Sequence, residues 1–358
     1  LLFTLRPHTH PCRGAMWDHS IKVKEYMKVS VFGKNFPTYL LSAPKKFPTF
    51  APFFKHNVCW RHSYKTKETF IFSFTSIATL NHMNHPYKLI AVDLDGTLVK
   101  SDQSISQRTI DTLVRAQEAG VKVAVASGRP TFGTQHAANA LRLNEFGGYI
   151  MSYNGGEIYD WQQKKLMYSK MLDKQVIPYI YTYAQEHGMG IMTYIGSEVV
   201  SEVEDNPYIC HSSMRNRMPI RLVPDFVTAA QEADVVKCII VGDPIPLQEM
   251  EKELQKALKG QANVFRSEPF FLEIVPLGID KAKGLEILLS KIGLCKEELM
   301  AFGDGYNDTP MLAYAGLGIA MGNAHDEIKK AADFVTLSNE DDGVAFAVEK
   351  FILQDKPY

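Results

Sequence analysis

The sequence predicts an α/β protein: a doubly wound parallel sheet into which a separate α+β module is inserted. Three observations carry that reading. From about residue 88, short apolar runs that end in polar loops alternate with amphipathic helical stretches; near Met171 the pattern changes to hairpins mixed with helices; near Ile274 the first pattern resumes. Apolar runs bounded by turn signals read as strands covered on both faces, and strand-helix-strand order builds the right-handed parallel crossover.

The first strand, Leu89 to Val92, stops at two carboxylates, Asp93 and Asp95, followed by Gly96 and Thr97. Ligands of such sheets bind at the carboxyl ends of the strands. Two acids this close repel unless a cation lies between them or one holds a proton. A Mg²⁺ ion, which takes oxygen from a few carboxylates, water and phosphate, answers that repulsion. A polar turn with Asp and Gly present for geometry is the plainer alternative.

Ser106 to Ala119 reads as a helix capped by Ser106, with Ile110, Leu113, Val114 and Ala116 inward and Gly120 as its stop. Val121 to Ala126 is a second strand ending at Ser127-Gly-Arg-Pro130, with Pro130 where a helix begins. Tyr149 to Ser152 is a third, and the turn signal at Tyr153-Asn-Gly-Gly156 predicts a hairpin with Lys165 to Tyr168.

In the insertion, Gln175 to His187 and Pro246 to Leu258 read as helices. Its strands are Ile191 to Tyr194 paired with Glu198 to Ser201, Val235 to Val241, and Asn263 to Ser267 paired with Phe270 to Ile274. The core pattern then returns with a helix over Lys281 to Ile292 and a strand over Met300 to Phe302 ending at Gly303-Asp-Gly-Tyr-Asn-Asp308. Thr309 to Ala315 is a helix, Gly318 to Met321 and Phe334 to Thr336 are short strands, and Gly343 to Leu353 is a closing helix.

A chain of 358 residues, 46% hydrophobic, can bury two cores, and its net charge of -1 gives no global basic field to favour nucleic acid. The average hides a boundary. Residues 1 to 82 hold 12 Lys and Arg against 3 Asp and Glu, a net +9, which leaves -10 for the remainder. That segment shows no sustained period and is interrupted by Pro37, Pro44, Pro48 and Pro52. Its best apolar run, Phe70 to Leu80, is shorter than the roughly 20 residues a bilayer span needs. The expectation is that residues 1 to 82 are a non-native or disordered extension, with the natural protein starting at Met83; a targeting extension is the second reading. The expected domains are then residues 83–170 with 275–358 as a core and 171–274 as a cap. Cys12, Cys59, Cys210, Cys238 and Cys295 form no Cys-x-x-Cys pair, which predicts free thiols in a reducing, cytoplasmic setting with no membrane partner.

Four loops meet if the sheet is parallel. Ser127, Gly128, Lys281 and Asn307 supply the hydroxyl, backbone amide and cation that phosphoryl oxygens need, and Asp93 and Asp304 supply carboxylates for Mg²⁺. Asp93 is the candidate nucleophile and Asp95 the candidate general acid and base. Taken singly, Ser127 could be a helix cap and Asp304, Asn307 and Asp308 a turn. Arg129 reads as a structural contact or a support to the catalytic groups, not as a catalytic residue itself. Tyr194, Asn206, Tyr208 and His211 of the insertion could face substrate, although core or surface positions explain each.

Asp93-x-Asp95-Gly-Thr97, Ser127-Gly-Arg, Lys281 and Gly303-Asp304-x-x-Asn307-Asp308, in that order, resemble the four motifs of the haloacid dehalogenase superfamily. The insertion resembles the type II cap of its Cof-like branch. Ser267-Glu-Pro-Phe-Phe-Leu-Glu-Ile274 and Glu340-Asp-Asp-Gly-Val-Ala-Phe-Ala347 are most similar to the YidA-type sugar-phosphate phosphatases. Ala282 departs from the glycine usual after the lysine. The resemblance covers roughly Pro86 to Leu353. It implies a Rossmann-like core and a Mg²⁺-dependent phosphatase of small phosphorylated metabolites. Asp93 would be nucleophile and metal ligand, Asp95 acid/base and metal ligand through its carbonyl, and Asp304 and Asp308 metal-site residues. Ser127, Lys281 and Asn307 would hold phosphate. A phosphotransferase or mutase of the same superfamily, and a phospho-accepting signalling receiver, are the alternatives; Asp95 and the large insertion do not suit the receiver. Monomer and homodimer both stay open.

Overall fold

The computed structural model describes residues 86–354, together with the backbone of three strands: β1 (Lys28–Phe32), β2 (Thr38–Ser42) and β3 (Phe70–Phe72). These three pair antiparallel in sequence order within a unit of their own, Leu1–Asn84. The expectation that the natural protein starts at Met83 lies outside the described residues.

From His85 the chain is a second unit. It runs through β4 (Leu89–Asp93), α1 (Gln107–Glu118), β5 (Lys122–Ala126), β6 (Tyr149–Ser152), β7 (Glu157–Asp160) and β8 (Lys165–Ser169). The insertion follows: α2 (Ile177–Glu186), β9 (Gly190–Ile195), β10 (Glu198–Ser201), α3 (Pro207–Asn216), β11 (Ile220–Leu222), α4 (Phe226–Glu232), β12 (Cys238–Val241), α5 (Pro244–Ala257), β13 (Ala262–Glu268) and β14 (Phe271–Pro276). The chain returns through α6 (Lys281–Ile292), β15 (Leu299–Gly303), β16 (Leu317–Ala320), β17 (Phe334–Val335) and α7 (Gly343–Val348).

The first sheet has the order β17-β16-β15-β4-β5-β6-β7-β8, parallel from β17 to β6 and antiparallel thereafter. This is the predicted α/β fold. The strand order reverses beside β4, so the crevice in which ligands of such sheets bind falls between the ends of β4 and its neighbours. Alternate residues of each strand face opposite layers. Ile90, Val92, Val123, Val125 and Phe302 pack toward α1 and α7. Leu89, Ala91, Ala124, Ala126 and Ala301 pack toward α6. The alanines on that second face leave room for a helix to lie close. At Gly284 of α6 a Cβ would stand 2.4 Å from Met151 Sδ and 2.8 Å from Gly155 Cα, so only glycine permits the approach. That approach seats Lys281 at the head of α6.

Helix α1 forms as expected, with Ser106 Oγ accepting the Thr109 amide at 3.1 Å and Leu113 and Ala116 buried. The hairpin is different from the prediction. Tyr149–Ser152 pairs with Glu157–Asp160, and Lys165–Ser169 pairs with that strand in turn. The intervening strand has one fully buried apolar residue, Ile158, among polar neighbours, and so gave no apolar signal.

The second sheet, β11-β10-β9-β12-β14-β13, packs α2, α4 and α5 on one face through Ile180, Phe226, Leu247 and Leu254. Its other face carries Met192, Tyr194, Ile239 and Phe271, in a cluster that also includes Tyr153 from the turn after β6. Helices α3 and α4 were not expected. Their caps were present in the sequence, Asn206 accepting from the Tyr208 and Ile209 amides and Asp225 from the Thr228 amide, but the buried face of α3 is largely polar, with Ser212 and Asn216 beside Ile209, and α4 has only 7 residues. No helix among the described residues is long and apolar enough to cross a membrane.

Leu113 is fully buried between α1 and the first sheet. Leu113→Ala should therefore lower the unfolding free energy by ~2–5 kcal/mol, read from the shift in the denaturant midpoint at unchanged slope.

Candidate active site

Asp93 is the last residue of β4, and β15 runs beside it with Phe302 opposite Val92, so the loop after Gly303 opens next to Asp93. Two glycines make room there. Gly96 has φ +76°, and a Cβ on it would lie 2.3 Å from Asp304 Oδ2; a Cβ on Gly303 would lie 2.4 Å from the Asp308 Cβ. Thr97 Oγ1 donates to Asp304 Oδ1 at 2.8 Å, and the Asp304 and Gly305 amides donate to Asp308 Oδ2 at 3.0 and 2.8 Å. Asp93, Asp304 and Asp308 each offer a carboxylate oxygen within 4.8 Å of the others.

Lys281 begins α6 behind that cluster, after Asp280, which accepts the Lys283 amide at 2.8 Å. A lysine at a helix start opposes the dipole. Here it is held by two carboxylates: its ammonium donates to Asp93 Oδ1, and to Asp308 Oδ1 at 2.5 Å, with no exposure at all. Burial disfavours its charge, but the attraction of Asp308 and Asp93 outweighs this and raises its pKa. Three carboxylates still face one ammonium. Burial, then the Asp308 charge, push Asp93 well above the usual carboxylate range against the pull of Lys281. Burial likewise pushes Asp304 up to about 6. Hard oxygen donors crowded together and short of positive charge fit a Mg²⁺-type cation.

Asp95 is turned to other partners. Arg129 Nε donates to its Oδ2 at 2.8 Å and Arg129 Nη2 to its Oδ1 at 2.5 Å, and Arg215 Nη2 of α3 lies 3.3 Å from the same Oδ1. Burial alone would raise this carboxyl; the bonds and charges of Arg129 and Arg215 overcome it and hold Asp95 below its ordinary value. Arg129, expected to make structural contacts or to support a catalytic group without being one, binds the candidate catalytic group Asp95. Arg215 also pairs with Glu268 at 2.6 Å.

Ser127 is buried, with its amide on the Met151 carbonyl at 2.8 Å and its Oγ accepting the Arg129 amide at 3.1 Å. Asn307 Nδ2 donates to Asn154 Oδ1 at 3.1 Å. Asp93, Asp95, Ser127, Gly128, Asp304, Asn307 and Asp308 all border one cavity of about 210 Å³. Lys281 is not among its lining residues and acts from behind Asp93 and Asp308. The wall contributed by the insertion includes Tyr194, Arg215, Lys237, Glu268 and Glu273. Of the insertion residues singled out in the sequence, Tyr194 lines the cavity, Asn206 caps α3, and Tyr208 and His211 pack on Phe270. The sequence reading did not single out Arg215, Lys237 or Asn154. Glu268 and Glu273 lie within the Ser267–Ile274 stretch on which the resemblance rests.

Comparison with known proteins gives a consistent result. Residues 90–348 match the model of the haloacid dehalogenase-like hydrolases. A solved haloacid dehalogenase-like hydrolase from Bacteroides thetaiotaomicron is 52% identical with a TM-score of 0.72, covering 74% of this chain and 99% of its own. A putative phosphatase of Streptococcus pyogenes is 30% identical over 74% of this chain and 98% of its own length. A 5-amino-6-(5-phospho-D-ribitylamino)uracil phosphatase of Bacillus subtilis is 31% identical over 74% and 96%.

With its pKa near 6, Asp304 keeps a proton in the folded state that the unfolded chain loses near pH 4, so without a cation stability falls as pH rises through that interval. Added Mg²⁺ should offset the loss. The rise in melting temperature on adding Mg²⁺ to chelator-treated protein is expected to be larger at pH 7.5 than at pH 5.

Proposed function

The chain belongs to the haloacid dehalogenase-like hydrolases, and from that premise we propose that it is a Mg²⁺-dependent phosphatase of small phosphorylated metabolites working through an aspartyl-phosphate. The observation that carries the proposal is the convergence of Asp93, Asp304, Asp308 and Lys281 at the ends of adjacent parallel strands, with Ser127 on the same cavity. Membership of a hydrolase family sets aside the signalling receiver.

In the proposed first step a carboxylate oxygen of Asp93 attacks phosphorus in line, the bond to the leaving oxygen breaks, and Asp95 gives that oxygen its proton. Ser127, Gly128 and Asn307, which line the cavity, hold the non-transferred oxygens, and Lys281 supplies positive charge from behind Asp93 and Asp308. In the second step water attacks phosphorus, Asp95 takes its proton, and the bond to Asp93 breaks to release inorganic phosphate. Asp93, Asp304 and Asp308, with the Asp95 carbonyl, would hold the Mg²⁺, which when bound neutralises phosphoryl charge and keeps Asp93 ionised. Arg129 and Arg215 keep Asp95 in the base form before substrate arrives. A phosphate dianion that draws Arg215 to itself raises the proton affinity of Asp95, which takes up a proton from solvent as substrate binds and so has one to give in the first step.

We assign residues 83–170 and 275–358 to the catalytic core and 171–274 to a lid that excludes water and selects the leaving group. The support is the separate six-stranded sheet that supplies one wall of the cavity. That wall pairs Arg215 with Glu268 and Lys237 with Glu273, a polar lining of both signs that suits a hydroxylated leaving group such as a sugar or polyol. The Bacillus subtilis relative's named substrate carries its phosphate on a ribityl chain, in keeping with that class. Among the described residues Cys210 and Cys238 carry thiols, in keeping with the reducing compartment of a cytoplasmic enzyme.

A panel of phosphomonoesters assayed with Mg²⁺ tests the proposal. Asp93→Asn should abolish turnover with the fold retained by circular dichroism; substantial residual kcat would remove Asp93 from the nucleophile role. Asp95→Asn should lower kcat by about 10²–10⁴ while Mg²⁺ affinity, measured by calorimetry, stays near wild type because the backbone carbonyl is unchanged.

A further inference from the structure

Lys237 precedes β12 and is only 4% exposed, yet its bonds cross between the two sheets. Its ammonium donates to Glu273 Oε1 at 2.8 Å within the second sheet and to the Gly128 carbonyl at 3.2 Å at the end of the first. Ser267 Oγ donates to the same Glu273 oxygen at 2.7 Å, and the rings of Tyr153 and Tyr194 flank the ammonium at 5.9 and 5.7 Å.

The three carbonyls of the 127–129 loop are bonded unequally. Ser127 C=O accepts the Asn154 amide at 2.9 Å and Arg129 C=O accepts the Tyr153 amide at 3.0 Å, both from the turn after β6. Gly128 C=O takes its donor from the insertion. The peptide unit that it begins ends in the Arg129 N–H, which donates to Ser127 Oγ at 3.1 Å. A hydroxyl has one proton and two lone pairs. With one lone pair engaged by Arg129 N–H, the Ser127 proton is left for an acceptor in the cavity. Lys237, one peptide plane and the Ser127 hydroxyl thus form a single polarised chain.

We infer that Lys237 is a positioning residue for the phosphate loop: by holding the Gly128–Arg129 peptide it sets the Ser127 hydroxyl toward phosphate, and it does so only while the lid is seated. The inference rests on the phosphatase reading above. A purely structural role does not account for the pair, because two buried charges contribute little net stability compared with apolar residues of the same volume.

The test is a mutant cycle in the full chain, with p-nitrophenyl phosphate and Mg²⁺ as the assay and inorganic phosphate as competitive inhibitor. Lys237→Met with Glu273→Met removes the pair without leaving a lone buried charge. In the Ser127 background it should raise the inhibition constant of phosphate, and KM, by about tenfold, and in a Ser127→Ala background by no more than about twofold, because members of one chain are not additive. Equal factors in both backgrounds, or unchanged phosphate affinity in the first, would overturn the inference. Should the double variant melt far below wild type, Lys237→Gln with Glu273→Gln, which stays polar and leaves no lone buried charge, carries the same expectation. Wild-type protein that neither turns over the ester nor binds phosphate overturns the phosphatase reading and this inference with it; an active wild type with an additive cycle overturns this inference alone.

Discussion

The contact of the Lys281 ammonium with Asp93 and Asp308 is the constraint on which the rest of the site depends. Three buried or half-buried carboxylates cannot share so small a volume without positive charge, and desolvating both signs is costly unless geometry and hydrogen bonds are near ideal. The fold meets that demand by placing a lysine where helix geometry by itself would favour an acid. It can do so because Gly284 and the alanine face of the first sheet let α6 approach closely enough for the side chain to reach the cluster.

A second layer of charge sits opposite. Asp95 is separated from the Asp93 group by its own cations, Arg129 and Arg215, so two carboxylates two residues apart in sequence lie in electrostatically different surroundings. Burial and a like charge push Asp93 upward, whereas guanidinium bonds hold Asp95 down. That contrast is how one short loop can present one carboxylate for attack and another for proton transfer. Because Arg215 belongs to the insertion, the state of Asp95 is tied to where that second sheet sits.

The elements legible in the sequence were those whose signal is local. Ser106 announced α1, the apolar runs at Leu89 and Val121 announced β4 and β5, and the order of acid, serine, lysine and acid motifs placed the site at one end of the sheet. Short pieces were lost for a physical reason. Helix α3 buries Ser212 and Asn216 beside Ile209, α4 has only 7 residues, and β7 has a single fully buried position, so none of them carries a sustained apolar pattern. The cavity wall of the second sheet was invisible for a different reason: Lys237 and Glu273 lie 36 residues apart and become partners only through strand register.

What the sequence determined by itself was the chemistry available: which carboxylates end a buried strand, which glycines allow a turn, and which lysine opens a helix. Tertiary structure alone decided the pairing of those groups. Lys281 lies 188 positions from Asp93, and Arg215 is likewise remote from Asp95, so no local propensity could state which charge neutralises which. Electrostatic partnership in a protein interior is a property of distance and solvent exclusion, and both come into being only when the sheets and helices have packed.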